Sequence, residues 1–172
     1  MWGPLTPSTC REGKSTTISA HSATVRCVNF ASNGRMLLSA SDDKTVKVWA
    51  LPTQRFMFTL SGHMNWVRAA QFSPDCRLAV SAGDDKTMRV WDIGSKSLLR
   101  LYDEHNSVIN TVAFHPDGTC IASAGTDKVI RVWDIRYGAD HSSTQNVPQS
   151  CESYAIQRCR LLASCPYVSV SG

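Results

Sequence analysis

Histidine, serine and aspartate recur together three times in this chain of 172 residues: His21, Ser39 and Asp43; His63, Ser81 and Asp85; His105, Ser123 and Asp127. Correctly placed, such a trio activates a serine hydroxyl for acyl transfer, with the carboxylate orienting the imidazole that takes the proton. Two features argue against a hydrolase. None of the serines sits in a Gly-x-Ser-x-Gly turn, the elbow that presents the nucleophile in many such enzymes. Three identical sets at one interval also suit a scaffold better than a single active centre.

Other chemistry fares no better. Gly13-Lys14-Ser15-Thr16 resembles the end of a phosphate-binding loop, but Ser8 stands where its first glycine belongs. A β-rich segment follows it, where that loop needs a helix. Seven cysteines, at positions 10, 27, 76, 120, 151, 159 and 165, include no Cys-x-x-Cys pair. No zinc site is therefore expected, and Cys27, Cys76 and Cys120 read as small hydrophobes. Asp42-Asp43 and Asp84-Asp85 look like paired carboxylates but have no acid–base partner outside the repeat. The expectation is a protein without enzymatic activity, cofactor, metal or small-molecule substrate.

The elements that carry these residues follow from one interval. His21, His63 and His105 are 42 residues apart, and so are Trp49, Trp91 and Trp133. Ser39, Asp43, Lys44 and Phe30 recur at the same spacing, with no gap from His21 to Asp134. This is an internal repeat, which decides the fold before any single element does. Within a unit the period is that of strands. Val25–Phe30 is β-rich and ends in the turn Ser32-Asn33-Gly34, and Met36–Ala40 leads to the turn Asp42-Asp43-Lys44. Val46-Lys47-Val48-Trp49 then alternates apolar with charged, as a half-buried strand does. A linker, Leu51-Pro52-Thr53, precedes Phe56–Leu60. Four short strands with a turn signal about every ten residues describe one blade of a β-propeller.

Composition agrees. Hydrophobic residues make up 42% and charged residues 19%, ordinary for a globular protein. No apolar run approaches the roughly 20 residues of a membrane helix. The N-terminus lacks the basic and apolar regions of a secretory signal, and with unpaired cysteine spacing this favours a reducing intracellular compartment. The net charge of +4 is spread along the chain with alternating sign, so neither specific nucleic-acid binding nor membrane binding is expected.

The Gly62-His63 dipeptide, the Trp91-Asp92 and Trp133-Asp134 dipeptides and the period resemble WD40 (β-transducin) repeats over residues 14–136. The first copy departs from the pattern with Ala20-His21 and Trp49-Ala50, the third with Glu104-His105. The resemblance implies an all-β fold: an incomplete WD40 propeller of about three four-stranded blades in an open arc. The last blade is expected to lack a proper fourth strand. It also implies a hydrogen-bonded tetrad in every repeat: His21, Ser39, Asp43 and Trp49; His63, Ser81, Asp85 and Trp91; His105, Ser123, Asp127 and Trp133. An indole N–H can only donate, so it needs the serine oxygen, and the imidazole links that serine to the carboxylate. Deleting the His or Asp should cost about 1–3 kcal/mol.

Loops at the strand ends carry function on such a scaffold. Equivalent positions there define a candidate protein-binding face: Thr24, Trp66 and Val108; Arg26, Arg68 and Asn110; Asp42, Asp84 and Thr126. Trp and Arg are the types most enriched in binding hot spots.

The phrases Ala-Thr-Val-Arg-Cys-Val-Asn-Phe (23–30), Asn-Trp-Val-Arg (65–68) and Gly-Thr-Cys-Ile-Ala (118–122) are more discriminating. They resemble the middle three repeats of the proteome-of-centriole WD-repeat family, which has a seven-bladed propeller. That resemblance implies a scaffold of the centriole and basal body. Its role would be in centriole integrity and cilium assembly, with centriolar or microtubule-associated partners and a place in the cytoplasm and cytoskeleton. The alternatives are a generic WD40 adaptor, such as a ubiquitin-ligase substrate receptor, or a non-functional truncated product.

The expected organisation is an irregular N-terminus (1–13), an orphan outer strand (14–19) and repeats over 21–62, 63–104 and 105–136. A non-repeat tail (137–172) is expected to be disordered, since Val147 stands where the next repeat histidine would fall. Three repeats do not close a ring, so a fragment, a transcript variant or an incomplete gene model is expected.

Overall fold

The computed structural model describes residues 16–51 and 53–135. Eleven strands run through them. β1 (Val25–Phe30), β2 (Met36–Ser41), β3 (Thr45–Ala50) and β4 (Arg55–Ser61) form the first sheet. β5 (Val67–Phe72), β6 (Leu78–Gly83), β7 (Met88–Asp92) and β8 (Ser97–Tyr102) form the second. β9 (Ile109–Phe114), β10 (Cys120–Gly125) and β11 (Ile130–Asp134) form the third. Within each sheet every strand pairs antiparallel with the next in sequence, and no helix occurs among the described residues. The molecule is an open row of propeller blades, the architecture expected from the repeat.

Two expectations need correction or limits. The orphan outer strand does not form over its described part: residues 16–20 pair with no strand. An outer strand is held by the third strand of its own blade, and no such strand lies before β1 among the described residues. The third sheet has three strands where the others have four. Its fourth would begin after Ile135, and that region, the tail 137–172 and residues 1–15 lie outside the described residues.

Sheets form where the alternation predicts them. In β3, Val46 and Val48 are fully buried while Lys47 between them is half-buried, its ammonium donating to the Ala20 carbonyl at 2.8 Å; in β7, Met88 and Val90 flank a half-buried Arg89 in the same way. The β2–β3 hairpin and its two counterparts turn through Lys44, Lys86 and Lys128 at φ of 69°, 64° and 63°. Their N–H groups close the turns on the carbonyls of Ser41, Gly83 and Gly125. A left-handed residue suits this hairpin, though each lysine costs about 1–2 kcal/mol for lack of glycine's freedom. The β1–β2 turn differs: Gly34 and Gly118 take φ of 67° and 74°, and Cys76 takes 60° at the same place in the second blade.

The core lies between blades. Leu38, Ala40, Val46 and Val48 of the first blade pack on Val67, Ala70, Phe72 and Trp91 of the second. Val80, Ala82, Met88 and Val90 of the second pack in turn on Ile109, Val112, Phe114 and Trp133 of the third. The second blade thus offers one face to the first blade and the other to the third. Polar atoms also cross these joints. The Asn29 side-chain oxygen accepts from the Phe72 N–H at 3.0 Å, and Gln71 does the same for Phe114 at 2.9 Å.

Candidate functional site

Two sets of polar residues stand out, one inside the blades and one at their rim. Inside, the indole of Trp49 donates to Ser39 Oγ at 2.9 Å, and His21 Nε2 lies 2.8 Å from that oxygen. His21 Nδ1 is 2.7 Å from Asp43 Oδ2. The second blade repeats the chain at 2.8, 2.7 and 2.7 Å through Trp91, Ser81, His63 and Asp85. The third does so at 2.8, 2.7 and 2.8 Å through Trp133, Ser123, His105 and Asp127. The three serines and the imidazoles are buried. Ser Oγ is occupied by an indole N–H and a ring nitrogen, so it is engaged in structure and is not presented as a nucleophile.

Each aspartate has a second task. The other oxygen of Asp43, Asp85 and Asp127 accepts the backbone N–H two residues on, at Thr45, Thr87 and Val129. The carboxylate therefore fixes the hairpin turn and the loop that bears the histidine at once. Burial opposes ionisation of Asp85. The hydrogen bond and charge of His63, with N–H groups from Met64 and Thr87, outweigh it and bring the pKa down to about 2. Asp43 and Asp127 are lowered the same way, against burial, by Thr45 and His21 in one case and by His105 and Arg131 in the other. In the third blade Arg131 Nη1 lies 2.7 Å from Asp127 Oδ2 and 2.8 Å from His105 Nδ1. Burial, helped by the Arg131 charge, pushes His105 below its ordinary 6.5 despite the Asp127 hydrogen bond.

At the rim, the three candidate trios come together blade by blade. The carbonyls of Thr24, Trp66 and Val108 accept the N–H groups of Asp42, Asp84 and Thr126 at 3.0, 2.9 and 2.9 Å. Arg26, Arg68 and Asn110 are each the extra residue of a β-bulge: the registers skip from Val25 to Cys27, from Val67 to Ala69 and from Ile109 to Thr111. A bulge re-aims the side chain of its extra residue. Here it turns two arginines onto the aspartates of their own blades. Arg26 grips Asp42 through Nε and Nη2 at 2.8 and 2.7 Å. Arg68 grips Asp84 with the same two nitrogens. The Arg26 hydrogen bond and charge hold Asp42 below the usual carboxylate range against some desolvation, and Asp42 in return raises Arg26. Blade three breaks the series with Asn110 and with Thr126, whose hydroxyl meets Ser107 Oγ at 2.5 Å.

The blades are joined at this rim by Trp66, whose ring lies 5.5 Å from the Arg26 guanidinium. Trp66 is 42% exposed, a large apolar surface for a residue with a positive neighbour over its face. Sequence reasoning missed two contributors. Met64 beside it is 75% exposed; its signal was an apolar residue in a repeat column that holds Ser22 and Asn106 elsewhere. Gly83 was the other. A Cβ there would lie 1.9 Å from the Trp66 carbonyl, so glycine is what lets β6 approach that backbone closely.

No group of three or more His, Cys, Asp or Glu that could hold a metal occurs among the described residues. No helix among them is long and apolar enough to cross a membrane, which says nothing of β-barrels.

Comparison with known proteins decides the family. The model for "WD domain, G-beta repeat" matches residues 13–50, 54–92 and 96–134, more than half of the chain. The chain belongs to the WD40-repeat family. The family's frame starts eight or nine residues before each tetrad histidine. Strands β4 and β8 therefore open the second and third repeats, yet complete the first and second blades. Among curated proteins, the Notchless protein homolog of Arabidopsis thaliana is 44% identical over 45 residues. That stretch covers 26% of this chain and 10% of the relative, so the chain spans only a small part of that protein's length. The WD40 repeats support a protein-interaction scaffold role, a fold that is typically non-catalytic.

Proposed function

We propose that this WD40 chain is a non-catalytic scaffold that docks a protein partner on the rim bearing Thr24, Arg26, Asp42, Trp66, Arg68, Asp84, Val108, Asn110 and Thr126. One observation carries the reading: a half-exposed tryptophan flanked by two bidentate Arg–Asp pairs at the bulged ends of adjacent blades. Trp and Arg are enriched in hot spots, and side chains already held by their own aspartates lose little freedom on binding. The paired charges leave the rim nearly neutral, so it favours a partner that offers an apolar anchor with flanking polar groups over one carrying a block of charge.

The repeat phrases at 23–30, 65–68 and 118–122 support a finer reading, a centriole or basal-body component with centriolar or microtubule-associated partners, located in the cytoplasm and cytoskeleton. The test is the tagged full chain in ciliated cells, alone and with Trp66→Ala or Arg68→Ala. Foci at centrosomes and basal bodies, lost in both variants, are the expected result. Diffuse wild-type signal overturns the centriolar reading in favour of a generic adaptor, and foci that survive both substitutions overturn the rim.

A further inference from the structure

Blade one turns a sheet face outward that no described residue covers. Val25, Val28 and Phe30 are exposed there, Phe30 to 66%. At the matching places, Val67, Ala70 and Phe72 of the second blade and Ile109, Val112 and Phe114 of the third are buried against the preceding blade. What covers them is a defined set of side chains. Leu38, Ala40, Val46 and Val48 do so for the second blade, and Val80, Ala82, Met88 and Val90 for the third. The third blade carries that set again as Ala122, Ala124, Ile130 and Val132, of which the last three are only half-buried. One molecule therefore holds, at its two ends, both halves of a joint that it makes twice internally.

We infer that a second copy of this chain seats the open face of its third blade on the Phe30 face of the first, and receives the first copy's third blade in return. A head-to-tail contact of this type closes when the rotation permits. Two sets of three blades give six, within the range of closed propellers. The partner is a second copy because the surface complementary to Phe30 is present on this same chain. One difference makes the new joint weaker than the internal ones. Asn29 and Gln71 each accept the N–H of a phenylalanine in the following blade, but the third blade has Ala113 in that column. Phe30 N–H has no such acceptor across the joint, so association is reversible.

The experiment is sedimentation equilibrium of the full chain from submicromolar to about 100 μM. Near-UV circular dichroism verifies that each variant is folded. The expected result is a concentration-dependent dimer, with Phe30→Glu and Val132→Glu each monomeric. An equimolar mixture of the two variants regains association, because one pairing keeps an intact face from each. Ala113→Gln, which restores the missing acceptor, tightens the dimer about five-fold or more. A chain that stays monomeric throughout overturns the inference, whether its face is then bare or covered by its own flanks. So does a Val132→Glu variant that dimerises alone, since that marks a symmetric contact between two Phe30 faces. A mixture of folded variants that stays monomeric overturns it as well.

Discussion

Phe30 and Phe72 end the first strands of adjacent blades, 42 residues apart, and have opposite surroundings. Phe30 is 66% exposed and Phe72 only 4%, although the strand, the register with the next strand and the turn that follows are the same. Local sequence makes the strand in both cases. Burial is supplied by the neighbouring blade, and stability in a repeat array comes from such joints as much as from single units. The tetrads show the complementary case. They are closed within each blade, and their distances agree to about 0.1 Å whether or not the blade has a covered face.

The sharpest way to break this contrast is to truncate both phenylalanines. Phe72→Ala should cost about 3–5 kcal/mol, the usual penalty for emptying a buried aromatic site. Phe30→Ala, in dilute monomeric protein, should stay within about 1 kcal/mol. Urea denaturation measures both, and equal losses would show that the first face is covered after all.

The tetrads give a smaller effect. Ser81→Ala leaves the buried Trp91 N–H without an acceptor and should cost about 2–3 kcal/mol. Ser39→Ala should cost less, about 1 kcal/mol, because Trp49, though buried, belongs to the blade whose outer face no described residue covers, so water reaches the freed N–H more readily. The order of the two midpoints is the readout.

Acid separates the blades again. Asp85 titrates at about 2 in the folded chain against an ordinary 3.8. Its contribution of about 2 kcal/mol is complete above the ordinary value and is lost as pH falls through about 2. His105 lies below its ordinary 6.5, so the unfolded chain takes that proton first and stability declines as pH drops under 6.5. Denaturation midpoints followed from pH 7 to pH 2 should fall in two stages. His105→Gln should remove the upper stage, and Asp85→Asn should shrink the lower one, which Asp43 and Asp127 share, each from a lowered starting stability.

The smallest effect is a gain. Cys76 occupies a left-handed position that Gly34 and Gly118 fill in the other blades. Cys76→Gly should stabilise the chain by up to about 1 kcal/mol, relief of strain exceeding the lost thiol packing. Thermal melting detects it as a rise of a few degrees.

Much of the fold was legible because a 42-residue period reports the blade directly, and Val46-Lys47-Val48 shows which side of a strand is apolar. The orphan strand at 14–19 was misread because β-rich residues do not make a strand without a partner, and 16–20 have none. The rim was legible as columns, since Arg26, Arg68 and Asn110 share one place in the repeat. Its geometry was not. The bulges that turn those side chains arise from a register skip between strands, and the stacking of Trp66 on Arg26 joins two blades. Neither leaves a mark in a single repeat. Met64 could have been found by asking which column is polar in two copies and apolar in one.

The most direct test concerns the amides of the three equivalent phenylalanines. Phe72 N–H is held by Asn29 and Phe114 N–H by Gln71, across joints between blades. Phe30 N–H has no such partner among the described residues. Hydrogen exchange resolved by residue, in dilute monomeric protein, should find Phe72 and Phe114 strongly protected and Phe30 exchanging orders of magnitude faster. Comparable protection at all three would contradict the account, because it would mean that the first blade's face is covered as completely as the other two.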